Sequence, residues 1–323
     1  MGSWDYREII NLVQSEIEQT KYSGYPNELY DPMNYILQLG GKRLRPVTTL
    51  LAAQLFSDNL KYAIPAAKAL EVFHNFTLVH DDIMDKAPLR RGKETVHEKW
   101  NENIAILSGD TLLIEVYNHF LEGEYSNLPD ILKVFNKTAV EVCEGQQLDM
   151  NFETRNDVSI EEYVNMIRLK TSVLVGGAFK IGALVAQANE EDAELIYDFG
   201  MNLGIAFQLQ DDYLDCFGDP EKFGKQVGGD IISNKKTFMM LKALEIETSG
   251  VLRKWVNLES FDAETKVLEI KAIYKSLKVD NLAFQLMDEF YEKALNSLRL
   301  VNASNESKER IIEFAKELMK RSS

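Results

Sequence analysis

The chain has 323 residues, of which 45% are hydrophobic and 27% charged, and a formal net charge of −15. That balance excludes a disordered chain. The acidity excludes a protein that follows a nucleic-acid backbone with a broad basic face, so any bound phosphate must be met by local basic clusters or by metal.

From the N-terminus, Met1–Ile10 contains Asp5, Arg7 and Glu8 and no apolar core, so no signal peptide is expected. Gly2 does not complete a myristoylation motif, because Tyr6 stands where Ser or Thr is required. No apolar run reaches the roughly 18 residues that a membrane span needs. Cys143 and Cys216 are the only cysteines, with neither a disulfide framework nor a CxxC pair, and a reducing, cytoplasmic setting is expected.

The seven prolines are separated by stretches of helical period. Helices are predicted over Val47–Phe56, Ala66–Val79, Ile104–Leu121, Ile131–Leu148, Ile160–Ala188, Ala193–Phe217 and Leu282–Val301. Breaks fall at Gly40-Gly41, at Pro88 with Arg90-Arg91-Gly92, and from Gly218 to Gly229. Several segments, such as Leu169–Ala188, are apolar nearly all round, which suits helices buried among other helices. The expected fold is all-α, a single domain over residues 1–323 built as one large multi-helix bundle around a central cavity.

Two of these helices run into acidic clusters, Asp81/Asp82/Asp85 and Asp211/Asp212/Asp215. Residues four apart lie one above the other on a helix, so each DDxxD presents two carboxylates on one face. Like charges at that spacing repel by roughly 0.2–0.5 kcal/mol per pair. A hard divalent cation offsets this, and magnesium in particular combines one or two carboxylates with water and substrate phosphate. Three cations, Lys42, Arg43 and Arg45, follow Gly40-Gly41 beside a helix start, and Arg90 and Arg91 follow the first acidic cluster. Both groups suit an anion. Glu71…His74 and Glu94…His97 share the ExxH spacing of di-iron bundles, but Pro88 and Gly92 break the chain before the second, which argues against that site.

The strings GGKRLRP (40–46), LVHDDIMD (78–85), RRG (90–92), GDTLL (109–113), Lys170-Thr171, FQLQDDYLD (207–215), GK (224–225), GGDI (228–231) and NKKT (234–237) resemble the trans-isoprenyl diphosphate synthases, in order and at similar spacings. EGQQLD (144–149) resembles a helix bordering that family's active site. The resemblance implies a catalytic set of Asp81, Asp82, Asp85, Lys170, Asp211 and Asp212. Asp81, Asp85 and Asp211 would ligate magnesium, three ions per active site. Arg90, Lys170, Thr171, Gln208, Lys225 and Lys235 would hold an allylic diphosphate (dimethylallyl, geranyl or farnesyl), and Lys42, Arg45, His74 and Arg91 would hold isopentenyl diphosphate. A homodimer is implied by the same resemblance. The chemistry would be ionisation of the allylic diphosphate followed by condensation with isopentenyl diphosphate. A class I terpene cyclase would need no GGKRLRP cluster, and a non-catalytic subunit of a hetero-oligomeric synthase is expected to lack an aspartate or basic ligand that this chain keeps.

Five residues before Asp81, about 7.5 Å along the axis, stands Phe76, with Thr77 four back and Phe73 eight back. Aromatic side chains in this region close the product tunnel in the family. One aromatic five back with an uninterrupted DDxxD resembles the short geranylgeranyl type. A C20 product is therefore expected, with C15 the alternative.

Overall fold

The computed structural model describes residues 4–218 and 228–320. In chain order the elements are α1 (Tyr6–Gln19), α2 (Asn27–Gln38), α3 (Leu44–Gln54), α4 (Ile64–Met84), the hairpin β1 (Leu89–Arg90) and β2 (Lys93–Glu94), α5 (Val96–Lys99), α6 (Glu102–Glu122), α7 (Leu128–Thr154), α8 (Ile160–Ile167), α9 (Val173–Val185), α10 (Glu190–Phe217), α11 (Gly229–Ile232), α12 (Phe238–Ile246), α13 (Val251–Val256), α14 (Ala263–Ser276), α15 (Val279–Leu300) and α16 (Asn305–Met319). The all-α expectation holds. Among the described residues, no helix is long and apolar enough to cross a membrane.

The chain divides into two compact units, Met1–Phe135, Gly177–Tyr197 and Val301–Ile311 forming one, and Asn136–Gly176, Asp198–Leu300 and Ile312–Ser323 the other. In the first, α4 packs along α6 and is flanked by α3 and α2. Helix α4 starts with Pro65 in its first turn, where a missing N–H breaks no helical bond. Its Leu70, Val72 and Phe73 are buried together with Leu112, Val116 and Phe120 of α6. The Phe135 ring is the hub, meeting Phe73 at 5.2 Å, Tyr117 at 5.5 Å and Phe120 at 5.2 Å between centroids. Such pairs contribute about 0.5–1.5 kcal/mol each beyond their burial.

The second unit closes on Tyr163, Met166, Ile205, Leu209, Met240, Ile270, Tyr274 and Met287. Helix α8 opens with a capping box, the Ser159 hydroxyl accepting from Glu162 N–H and the Glu162 carboxylate from Ser159 N–H. The helix predicted over Ile160–Ala188 is interrupted: Arg168–Ser172 is a π turn, in which Val173 N–H reaches back five residues to the Arg168 carbonyl. Such turns sit mostly inside α-helices at functional sites, and this one carries Lys170 and Thr171.

Candidate active site

In the first unit the acidic cluster ends a buried helix, as predicted. Between Ala69 and Asp82 only His74, Phe76, Thr77, His80 and Asp81 keep partial exposure. Asp85, the C-cap, still has helical backbone and donates its N–H to the Asp81 carbonyl at 2.8 Å. Asp81 and exposed Asp85 therefore share a face. Asp82 is turned about 100° from Asp81 and is fully buried.

A tight return of the chain provides its partner. Ala87 N–H donates to the Asp82 carbonyl at 3.0 Å, and Thr95 N–H to the Pro88 carbonyl at 3.2 Å. The hairpin turns at Arg91 (φ 54°) and Gly92 (φ 74°), the paired positive values of a type I′ turn. Arg90 thereby lies over Asp82, donating from Nε at 2.8 Å to both carboxylate oxygens and from Nη2 at 2.6 Å. Asp82 thus orients a guanidinium.

The basic turn before α3 also separates its cations. Arg43 has a left-handed backbone (φ 48°), and its side chain turns inward to ion-pair with Glu71 and to donate to the Leu37 carbonyl at 2.6 Å. Lys42 remains exposed and Arg45 half-buried. The Arg91 guanidinium lies so close over Gly41 that a Cβ there would fall 2.5 Å from Nη2. His74 stands among these groups; burial first, then Arg45, Arg91, Arg90 and Arg43, hold its pKa well below the usual histidine value. A neutral imidazole, donor at one nitrogen and acceptor at the other, is the form the cluster presents.

The second unit repeats the logic of the acidic motif. Asp211 and Asp215 are half-buried on one face of α10, and Asp212 is buried between protein donors. The Tyr163 hydroxyl donates to Asp212 Oδ2 at 2.6 Å and Gln208 Nε2 to Oδ1 at 2.9 Å, while Thr171 Oγ1 donates to Gln208 Oε1 at 3.0 Å. Burial pushes the Asp212 carboxyl up to about 7, against the nearby Lys235 ammonium, which lowers it. Asp215 accepts Asp230 N–H at 2.9 Å, pinning the start of α11. Burial works to lower the Lys235 pKa, but Asp230, Asp212, Asp149 and Asp215 outweigh it and keep the ammonium charged. Lys170 donates to Asp149 Oδ2 at 2.5 Å.

Two glycines set the π turn. A Cβ on Gly145 of α7 would lie 2.1 Å from the Lys170 nitrogen, and one on Gly204 of α10 would lie 2.8 Å from Ser172 Cα. Only bare backbone fits at either position. Gly145→Ala is expected to destabilise the protein by about 1–3 kcal/mol through overpacking and to raise KM by displacing the π turn that carries Lys170 and Thr171. Denaturant melts with steady-state kinetics check this; an unchanged melt and KM would contradict it.

These carboxylates suit a divalent cation by donor chemistry. In each motif the first and fourth-following aspartates share a partly open face, and the middle one is held by protein donors. Among the described residues no group of three or more His, Cys, Asp or Glu side chains forms a ready cage. One or two carboxylates per ion, completed by water and phosphate, is the magnesium pattern. Glu71, the first residue of one ExxH pair, is instead the buried partner of Arg43. Lys225 lies outside the described residues. The partner roles that sequence reasoning missed are those of Asp149, Tyr163, Glu71 and Asp230; Asp149 and Asp230 had a signal in EGQQLD and GGDI, Glu71 was read only as half of an ExxH pair, and Tyr163 had none.

Taken together, the helical fold and paired acidic and basic clusters define an isoprenoid-synthase type of protein. A family profile described as polyprenyl synthetase matches residues 26–277. The chain is 42% identical over 278 residues to a geranylgeranyl diphosphate synthase of Methanosarcina mazei, covering 83% of each. A crystal structure of geranylgeranyl pyrophosphate synthase matches over 100% of both chains, with a TM-score of 0.95 at 47% identity. A polyprenyl synthase from Caulobacter crescentus, complexed with calcium and isoprenyl diphosphate, matches over 100% of both chains with a TM-score of 0.85 at 26% identity. This chain belongs to the polyprenyl synthetase family, the trans-isoprenyl diphosphate synthases, and is a trans-prenyltransferase.

Proposed function

We propose that this protein condenses isopentenyl diphosphate with an allylic diphosphate (dimethylallyl, geranyl or farnesyl), in the cytoplasm, to a C20 product. The observation that carries the reading is the repeated arrangement of the two DDxxD helices, each with a partly exposed carboxylate pair on one face and a braced middle aspartate, in a chain that also keeps the GGKRLRP cluster. Asp81, Asp85 and Asp211 are assigned to magnesium, three ions per site. Bound magnesium supplies positive charge that stabilises the departing diphosphate. Arg90, oriented by Asp82, and Lys170, Thr171, Gln208, Lys225 and Lys235 hold the allylic diphosphate. Lys42, Arg45, Arg91 and neutral His74 hold isopentenyl diphosphate. These fixed cations act where negative charge grows as the allylic carbon–oxygen bond breaks. The double bond of isopentenyl diphosphate then attacks the allylic cation, and a proton is lost, with the released pyrophosphate as its acceptor. The two units act as one synthase domain, which agrees with a family match spanning residues of both.

Phe76 is assigned as the tunnel floor, with Thr77 leaving room directly below Asp81. Thr77 is turned about 40° from Asp81 around the helix and Phe76 about 140°, so Phe76 closes the space from the α6 side. Phe73 is 1% exposed and backs it. Phe76→Ala is expected to shift the main product from C20 to C25 or longer, read by chromatography of products from each of the three primers. An unchanged length would remove Phe76 as the floor.

A homodimer is supported by α6. Leu107, Ile114 and Leu121, seven residues apart, are 58%, 62% and 61% exposed, and Tyr117 falls between the last two at helical spacing, a pattern that suits packing against another helix. A second copy of the chain is the proposed occupant. Ile114→Lys is expected to give a monomer in sedimentation analysis, whereas an unaltered dimer would place the interface elsewhere.

A further inference from the structure

His80 belongs to neither the acidic motif nor the diphosphate-binding set, yet it is seated with care. Its ring meets the Phe76 ring at 4.8 Å and 64°, edge to face. Four residues apart on α4, the two side chains lie one above the other. On the far side Phe76 meets Phe73 at 5.6 Å, and Phe73 is locked against Phe135. The imidazole rests on α6 at Gly109, where a Cβ would fall 2.3 Å from Nε2 and 2.7 Å from Cδ2. Nε2 lies 3.3 Å from the Ile106 carbonyl and 3.9 Å from Asp110. Helix α6 thus gives up a side chain at one position to receive this ring.

We infer that His80, seated in the Gly109 notch, sets the tilt of the Phe76 ring and so acts as a positioning residue for product length. The inference rests on Phe76 being the floor. With the imidazole edge on one face and buried Phe73 beyond the other, the Phe76 ring is held from both sides. Without His80 the ring swings toward the vacated notch, and the growing hydrocarbon passes further before it is stopped. The determinant of length then includes a residue adjacent to the metal motif and a glycine on another helix.

The test uses the full-length chain with farnesyl diphosphate, radiolabelled isopentenyl diphosphate and magnesium, with products resolved by chain length. In His80→Ala the C25-to-C20 ratio is expected to rise about fivefold, the change that ~1 kcal/mol of lost ring contact produces. His80→Phe keeps the ring edge and restores the parental ratio; His80→Gln keeps a hydrogen-bonding group without the ring and does not. Gly109→Ala drives the imidazole off its seat without deleting it and is expected to move the product distribution as well, so the inference survives a poorly folding His80→Ala. An unchanged distribution in both His80→Ala and Gly109→Ala, while Phe76→Ala lengthens the product, would overturn the role of His80 and leave the floor standing. An unchanged distribution in Phe76→Ala would overturn the floor and this inference with it.

Discussion

Replacing Asp81 with alanine is expected to lower kcat by about 10²–10³-fold, the loss seen when one group that stabilises developing negative charge is removed, while the fold stays intact. Asp81 is half-exposed at the end of α4, and its removal also relieves repulsion from Asp85 by roughly 0.2–0.5 kcal/mol. The thermal midpoint should therefore hold or rise slightly as activity collapses. Asp82→Asn is a different experiment. Asp82 is buried and engaged by Arg90, so its loss acts through a misplaced guanidinium and lowers stability as well. Kinetics across a magnesium titration, paired with melting curves, separate the two. Turnover within tenfold of the parent in Asp81→Ala would contradict its proposed role as a magnesium ligand.

The largest effect on stability is expected at Glu71. Its ion pair with Arg43 is almost fully buried, with side chains 2% and 3% exposed. Glu71→Ala leaves the guanidinium without a counter-charge in a dry interior, which costs about 3–5 kcal/mol. Asn75 loses a partner too, since its Nδ2 lies 3.3 Å from Glu71 Oε1. Because Arg43 anchors the turn carrying Lys42 and Arg45, KM for isopentenyl diphosphate should rise in parallel. Denaturant unfolding is expected to show a lower midpoint at an unchanged slope. Replacing both partners together with apolar residues should recover much of the stability but not the binding, because a buried pair is destabilising mainly when only half of it is removed.

Much of this architecture is legible in the residues. The apolar period of Ala66–Val79 and Ala193–Phe217 marks α4 and α10, and the acidic clusters fall at their ends as predicted, because a buried helix can present charge only where it leaves the core. What periodicity does not carry is direction relative to neighbours. A helix places the second residue of DDxxD about 100° from the first, and only the fold supplies Arg90 for Asp82, or Tyr163 and Gln208 for Asp212. Arg43 sits in a run of cations that looks uniformly suited to an anion, yet its left-handed backbone sends it inward to Glu71. The π turn at Arg168–Ser172 is invisible for a related reason. One inserted residue barely alters an apolar pattern, and its determinants, Gly145 and Gly204, lie on other helices.

Metal-assisted joining of two diphosphate substrates is read out by incorporation of radiolabelled isopentenyl diphosphate into prenyl diphosphate, with dimethylallyl, geranyl or farnesyl diphosphate as primer and with and without magnesium. Magnesium-dependent elongation ending at C20 is the result predicted here; no elongation with any primer, or a cyclised hydrocarbon in its place, would contradict it.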